Sequence, residues 1–340
     1  MSLRVAVQMD PIETIAVAGD SSFALMLEGQ KRGYRFVHYL ATALSAENGR
    51  VRAKARPLTV TRDPGAHFTW TGDAATIDLG DDADVVLMRQ DPPFDMGYIT
   101  ATHLLEMISD RTLVVNDPTE VRNAPEKLFV LRYPDLMPPT LVTRSLDEAM
   151  DFRGRHGAVV VKPLYGNAGA AVFLVGKDDG NLPALVELFG SVWREPFMVQ
   201  AFLPQVSEGD KRIVLIDGVP TGAINRLPKS GEIRSNLAAG GAAQATELTP
   251  RETEICARIG PDLAARGLVF VGIDVIAGHL TEINVTSPTG IMAIDRFNGT
   301  NTPARIWEAI ERRVAARGQG RCPPDRIVTS ADAGVTDVSK

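Results

Sequence analysis

Four stretches carry the residue types and spacings on which chemistry can be built. The first is Lys162-Pro163-Leu164-Tyr165-Gly166-Asn167-Ala168-Gly169-Ala170-Ala171, a lysine closing an apolar run and then a glycine-spaced turn. Glycine lets backbone amides approach an anion, and a strand-end lysine adds a point charge, so phosphate binding is one reading. The stretch leads into another strand and not a helix, so it is neither a P-loop nor a dinucleotide fingerprint. A plain β-hairpin is the other reading. The second is the set Asp274, Glu282 and Asn284. If Ala277-Gly278-His279 forms a three-residue hairpin loop with the bulge such loops favour, Asp274 stands opposite Glu282, and Asn284 projects from the same face. Facing carboxylates destabilise a sheet unless a cation lies between them, and an oxygen-only donor set suits magnesium or manganese better than zinc. A two-residue loop would break that register and leave a solvated strand face. Third, Lys211, Arg212 and Arg226 bracket Asp217-Gly218, a strong hairpin signal. An unbulged hairpin sends Arg212 and Arg226 to opposite faces, whereas Pro220 makes a bulge plausible. Fourth, the glycine-rich insertion from Leu227 to Gly241 carries Arg234 and is long enough to be a lid or a flexible connector. As a lid it would exclude water and bring a cation over developing negative charge. His38 and His103 have no second ligand at metal spacing, and no serine nucleophile elbow occurs.

These groups need elements to hold them. From residue 3 to about 122, strands at 3–9, 35–40, 84–88 and 112–116 alternate with helices near 20–33 and 97–109, which predicts a small α/β domain with a mainly parallel sheet. Its ligand crevice belongs at the carboxyl ends of the strands, where Asp10-Pro11 and residues 89–95 fall. Prolines 125, 134, 138 and 139 mark a boundary. Beyond it Ser145 and Glu148 spell a capping box, followed by strands at 158–162, 171–175 and 197–200 and a helix near 182–189. A third unit has a strand at 211–217, a helix opened by Thr249-Pro250-Arg251-Glu252 and stopped by Gly267, strands at 268–276 and 280–285, and a last helix over 303–317. Residues 318–340 read as a disordered tail.

Composition narrows the function. With 44% hydrophobic and 23% charged residues in 340, the chain is an ordinary globular protein of two or three domains. Its 36 basic and 42 acidic residues leave a net charge of -6, which argues against a broad nucleic-acid or anionic-membrane footprint. The two cysteines lie far apart, the first residues contain no signal-peptide core, and no apolar run reaches membrane-span length, so a cytoplasmic location is expected. Any bound phosphate must therefore be held by local cations, for which Lys162, Lys211, Arg212, Arg226 and Arg234 are the candidates.

Taken together, residues 3 to about 317 resemble the bacterial glutathione synthetases of the ATP-grasp superfamily. The resemblance lies in separated blocks: Met9-Asp10-Pro11-Ile12, Asp20-Ser21-Ser22-Phe23, Met88 to Asp95, Glu126-Lys127-Leu128-Phe129, Gly209-Asp210-Lys211-Arg212, Asn236 to Gly241, and Thr281 to Thr289. It implies a fold of α/β and α+β class, an ATP-grasp fold behind an N-terminal α/β pre-ATP-grasp domain. The implied units are a substrate-binding domain over 1–122, a central lid subdomain over 123–200, and a C-terminal subdomain over 201–317 with a mobile loop at 227–243. The resemblance also implies ATP at Lys127, Lys162, Gly166, Asn167, Gly169, Gln200, Ala201, Phe202, Leu203 and Asp210, and magnesium or manganese at Asp274, Glu282 and Asn284. It places Arg212, Arg226 and Arg234 near the transferred phosphate, and Arg89, Asn236, Ser287, Pro288 and Thr289 on the substrate side. The implied reaction is ATP-driven ligation: a carboxylate of γ-glutamylcysteine is phosphorylated, and the acyl phosphate is captured by the amine of glycine, giving glutathione, ADP and phosphate. A homotetramer is implied by the family alone. Tyr165 stands where the family usually has Asp, Asn167-Ala168 replaces a more glycine-rich pair, and Gln90 replaces a usual Lys. The alternatives are another ATP-grasp ligase for a related thiol peptide or amino acid, and a non-catalytic nucleotide-binding regulator.

Overall fold

The computed structural model describes residues 2–63, 65–166, 169–229, 231–236 and 240–320, the side chains of 318–320 excepted. The N-terminal part is built on β1 (Arg4–Gln8), β2 (Arg35–Tyr39), β3 (Leu44–Glu47), β4 (Arg50–Val60), β5 (Phe68–Trp70), β6 (Ala75–Asp78), β7 (Val85–Met88) and β8 (Leu113–Val115), with α1 (Ser21–Lys31), α2 (Leu79–Asp82), α3 (Met96–Glu106) and α4 (Pro118–Asn123). Strands β2, β1, β7 and β8 run parallel in that spatial order. Helix α1 starts where the Asp20 carboxylate accepts from the Phe23 amide at 2.6 Å, and Gly33, at φ +79, lets the chain turn back into β2. The expected mainly parallel sheet is corrected in one respect: β3 to β6 add an antiparallel half. Its sequence carries little strand signal, because β4 has Arg50, Arg52, Lys54 and Arg56 on one face and its buried Val51, Ala53 and Ala55 are small.

The central part comprises α5 (Glu126–Phe129), β9 (Thr140–Thr143), α6 (Leu146–His156), β10 (Val159–Pro163), β11 (Phe173–Val175), α7 (Leu182–Val192) and β12 (Phe197–Ala201), and its sheet runs β11-β10-β12-β9, antiparallel throughout. Only half of the expected Ser145 box forms. The Ser145 hydroxyl accepts from the Glu148 amide, but the Glu148 carboxylate is drawn to the Thr143 hydroxyl.

In the C-terminal part β13 (Asp210–Ile216), β14 (Val219–Leu227), β15 (Ala242–Ala245), α8 (Pro250–Ala265), β16 (Phe270–Ile276) and β17 (His279–Asn284) precede α9 (Ile291–Asn298) and α10 (Thr302–Gly320). Both halves of the Thr249–Glu252 box are present, with Pro250 at the first helical position. Ile255, Cys256, Ile259 and Leu263 then form one buried stripe at helical spacing. Gly260 lies where that helix meets the β13–β14 turn, and a Cβ there would stand 2.2 Å from the Gly218 carbonyl oxygen.

Two large apolar cores each mix residues from the N- and C-terminal parts, whereas the central sheet has its own small core around Phe152, Val161 and Phe189. Trp307 of α10 shows why the outer parts form one body. It is fully buried, donates to the Leu25 carbonyl at 2.8 Å and meets Tyr34 edge-on at 5.0 Å. Burying such a side chain contributes about 1.5–3 kcal/mol. The last helix passes Arg317 and continues to Gly320, three residues into the stretch expected as tail; residues 321–340 lie outside those described.

Candidate functional site: a cleft floored by two acidic strands

A cleft of about 320 Å³ opens between the central and C-terminal sheets. Its floor is the β16–β17 hairpin, which reaches the expected register by a different device. The loop is only two residues, Ala277 (φ 49) and Gly278 (φ 73), and Ile276 pairs with His279. That arrangement alone would have put Asp274 out of step. A bulge at Thr281 restores it, so Asp274 pairs with Glu282 and Gly272 with Asn284. The Asn284 amide nitrogen lies 3.4 Å from Asp274 Oδ2.

The β13–β14 hairpin is bulged in the same way. Leu215 pairs with Pro220 but Val214 with Gly222, leaving Thr221 over and setting Arg226 opposite Asp210. Arg212 and Arg226 therefore share a face and converge on Asp274: Arg212 donates from Nε at 2.5 Å and Nη2 at 3.0 Å, and Arg226 Nη2 stands at 2.9 Å. Burial pushes the Asp274 carboxyl upward, but the two guanidiniums outweigh it and hold it far below the usual carboxylate range. Asp210 receives Arg226 at 2.5 Å and the Ser235 hydroxyl at 2.9 Å. Burial pushes its carboxyl up to about 6; Arg226 opposes the shift and the Asp274 charge adds to it.

Lys127 and Lys162, from α5 and the end of β10, reach Glu282 from the other side, each at 3.6 Å. Lys127 also donates to the Gly166 carbonyl at 2.8 Å and contacts Glu126, its sequence neighbour, an acid not among the expected site residues. Burial lowers Lys162, with Glu282 opposing, whereas at Lys127 burial is outweighed by Glu282 and then Glu126. Burial, with Glu282 adding, pushes Glu126 up to about 7.

Lys211 departs from expectation. Neighbouring residues on a strand face opposite ways, and Lys211 turns from the cleft to α8, where it meets Glu252 at 2.7 Å and the Glu247 carbonyl at 2.8 Å. Gly166, Gly169, Gln200, Ala201, Phe202, Leu203, Arg234 and Asn236 all line the cleft with Ser287, Pro288 and Thr289; Asn167 lies outside the described residues. The insertion is shorter than expected, since Leu227 belongs to β14 and residues 242–243 to β15. Its residues lie over the phosphate-type hairpin: at Gly169 (φ +75) a Cβ would stand 2.8 Å from Asn236 Oδ1 and 3.3 Å from Arg234 Cδ. Only glycine suits that backbone and that approach. Arg234 pairs with Glu232 at 3.1 Å. Arg89 lies behind the cleft wall. It is buried, donating to Ser22 Oγ at 3.0 Å and the Pro288 carbonyl at 2.9 Å, while Ser287 Oγ donates to the Arg89 carbonyl. The apolar cleft residues Val160, Val172, Ile233 and Ile276 carried no signal in the sequence beyond their place on strands or in the insertion.

A central antiparallel sheet and a C-terminal sheet closing on a cleft of lysines, arginines and acids define an ATP-grasp ligase. Solved structures of that fold overlay nearly the whole chain at low identity. D-cycloserine synthetase DcsG matches with a TM-score of 0.65 at 15% identity, covering 92% of this chain and 99% of its own. D-alanyl-alanine synthetase A from Vibrio cholerae matches with a TM-score of 0.57 at 13% identity, covering 92% and 99%. Family models narrow the class: the prokaryotic glutathione synthetase N-terminal domain matches residues 3–122, and the prokaryotic glutathione synthetase ATP-grasp domain matches residues 126–299. The glutathione synthetase of Brucella melitensis is 55% identical over 313 residues, spanning 92% of this chain and 100% of its own, and that of Bradyrhizobium diazoefficiens is 56% identical over 315 residues, spanning 93% and 100%. The chain belongs to the prokaryotic glutathione synthetase family and is an ATP-dependent carboxylate–amine ligase. Among the described residues no helix is long and apolar enough to cross a membrane.

Proposed function

We propose that this chain joins γ-glutamylcysteine to glycine in the cytoplasm, with ATP held in the cleft between the central and C-terminal sheets. The observation that carries this reading is the convergence of Lys127 and Lys162 on Glu282 beside Gly166. Two buried ammonium groups stand 3.6 Å from one carboxylate, Lys127 also held by Glu126 and the Gly166 carbonyl, and both face the cleft where the phosphates of a nucleotide would lie. Gln200 to Leu203 form the strand-end segment beside which adenine would lie.

The donor set fits a hard divalent cation. Glu282 faces the cleft with carboxylate oxygens, Asn284 adds an amide oxygen, and Asp274 would have to share its two oxygens with Arg212 and Arg226; among the described residues no group of three or more His, Cys, Asp or Glu is placed to hold a metal by itself. Magnesium is commonly bound by one or two carboxylates with the remaining positions filled by water and substrate phosphate, and manganese accepts the same oxygens. When bound, such an ion would neutralise charge on the phosphates. Arg212 and Arg226 are fixed by Asp274 and Asp210, so their positive charge is already in place when negative charge spreads onto the transferred phosphoryl group. The carboxylate of γ-glutamylcysteine attacks the γ-phosphorus, ADP leaves, and the glycine amine displaces phosphate from the acyl phosphate. Arg234 and Asn236, lying over Gly169, keep water from that intermediate. Arg89 is a positioning residue that ties the N-terminal sheet to Pro288. A homotetramer, expected from the family, is testable by light scattering.

A substrate-matrix assay of ADP release with mass detection of the product tests the reading. ADP and the tripeptide should appear in equal amounts only when γ-glutamylcysteine and glycine are both present. Turnover with a different carboxylate or amine, and none with this pair, would overturn it.

A further inference from the structure

Tyr165, the residue that departs from the family's usual Asp, is partly exposed but has an aromatic partner. Its ring stacks on Phe94, with centroids 6.1 Å apart and planes inclined by 16°. Phe94 in turn meets Tyr98 of α3 at 5.2 Å, and Tyr98 is almost fully buried. The two partners come from different parts of the molecule. Tyr165 belongs to the hairpin that carries Gly166 and Gly169, whereas Phe94 belongs to the segment after β7 that carries Arg89 and Asp91 and lies at the carboxyl ends of the parallel strands. The next residue, Gly166, is pinned as well: Lys127 donates to its carbonyl at 2.8 Å, and a Cβ there would stand 2.7 Å from Pro163 Cγ. The space beside the ring pair, between Pro92, Pro125, Leu164 and Tyr165, is only about 20 Å³, room for a water molecule and no larger ligand.

We propose that the Phe94–Tyr165 stack couples the nucleotide hairpin to the peptide crevice, with Tyr165 as a positioning residue for ATP. The inference rests on the nucleotide assignment proposed above and on the placement of the peptide at residues 89–95 that the family resemblance implies. A substrate that fixes residues 89–95 also fixes Phe94. Through the stack it restrains the hairpin before nucleotide arrives, so less ordering remains to be done on binding. Linkage requires the reverse effect to be equal. An offset aromatic pair has a worth corresponding to about a two- to tenfold change in an equilibrium constant, which sets the scale of the coupling.

The test is calorimetric titration of magnesium ADP into the full chain, with and without saturating γ-glutamylcysteine, for wild type, Tyr165→Phe, Tyr165→Ala, Phe94→Ala and the double alanine variant. In wild type the peptide should tighten ADP binding by about two- to tenfold. Tyr165→Phe should keep that ratio, Tyr165→Ala and Phe94→Ala should each bring it close to one, and the double variant should go no further than either single. In turnover the KM for ATP should rise more than kcat falls. Tyr165 is partly exposed, so Tyr165→Ala should fold, and an unchanged melting temperature verifies that. A Tyr165→Ala ratio equal to that of wild type, or a wild-type ratio of one, overturns the coupling while leaving the nucleotide site standing. Failure of wild type to bind ADP at all overturns the assignment of the hairpin, and the inference with it.

Discussion

Asp274 and Glu282 face each other across one strand pair, yet they are held in different ways. Both oxygens of Asp274 are taken by guanidiniums, at 2.5, 2.9 and 3.0 Å, and the residue is 2% exposed. Among the described residues Glu282 is met by two ammonium groups at 3.6 Å, beyond good hydrogen-bond distance, and its side chain keeps 21% exposure toward the cleft. At both carboxyls burial works upward and the neighbouring cations more than compensate, so both are held below the usual range. The difference lies in geometry. A guanidinium fork fixes a carboxylate in place, whereas lysine is a point charge on a flexible stem that can change partners. Asp274 therefore fixes the two arginines, and in the function proposed above Glu282 is the acid whose lysines turn to phosphate when a nucleotide binds.

The largest effect expected from this contrast is on stability. Asp274→Asn leaves two buried guanidiniums without their shared counter-charge and should cost about 3–5 kcal/mol in chemical denaturation; a loss below 1 kcal/mol would erase the distinction between the acids. Glu282→Gln should cost less stability than Asp274→Asn, because Lys127 keeps Glu126 and the Gly166 carbonyl, while kcat falls by about 100-fold or more, the order seen when one group stabilising transition-state charge is removed. Steady-state kinetics beside a thermal melt separate the two outcomes.

Smaller effects follow from titration. The Asp210 carboxyl, raised to about 6 by burial, binds its proton more tightly in the folded chain than in the unfolded one. Stability of the nucleotide-free protein should therefore fall as pH rises from about 4 to about 6 and level off above that. Asp274 has the opposite sign: its contribution is present at neutral pH and is lost only as pH falls toward its strongly depressed folded value. Asp210→Asn should flatten the slope between pH 4 and 6, and an unchanged slope would show that another group titrates there. Smallest of all is the thiol. Cys256 is buried on α8, and burial pushes its thiol up to about 12. In a Cys322→Ser background it should resist alkylation at pH 8 until the protein is unfolded.

Much of the site could be read before the fold was known, and the failures have physical causes. The pairing of Asp274 with Glu282 was foreseen from a three-residue loop, but the two-residue turn reaches it through the bulge at Thr281. Bulges depend on the whole ladder, and a local pattern of residue types does not contain them. Arg212 and Arg226 share a face for the same reason, one open to the sequence only as the chance that Pro220 marks a bulge. Proximity in sequence sets Lys211 with the cleft cations, but strand alternation turns it away from Arg212 toward Glu252. The antiparallel β3–β6 half was hidden by its charged outer face. The capping box at Thr249, built from neighbours, was legible in full, whereas that at Ser145 lost its glutamate to Thr143.

The most direct test of the division between the two acids is the magnesium dependence of ADP binding to wild type and Glu282→Gln, measured by calorimetry with and without the metal. Magnesium should tighten ADP binding to wild type, while Glu282→Gln should stay folded, keep the metal-free affinity and lose the tightening. If Glu282→Gln tightens on ADP with magnesium as wild type does, Glu282 is not the exchangeable acid of this site, and the account is wrong.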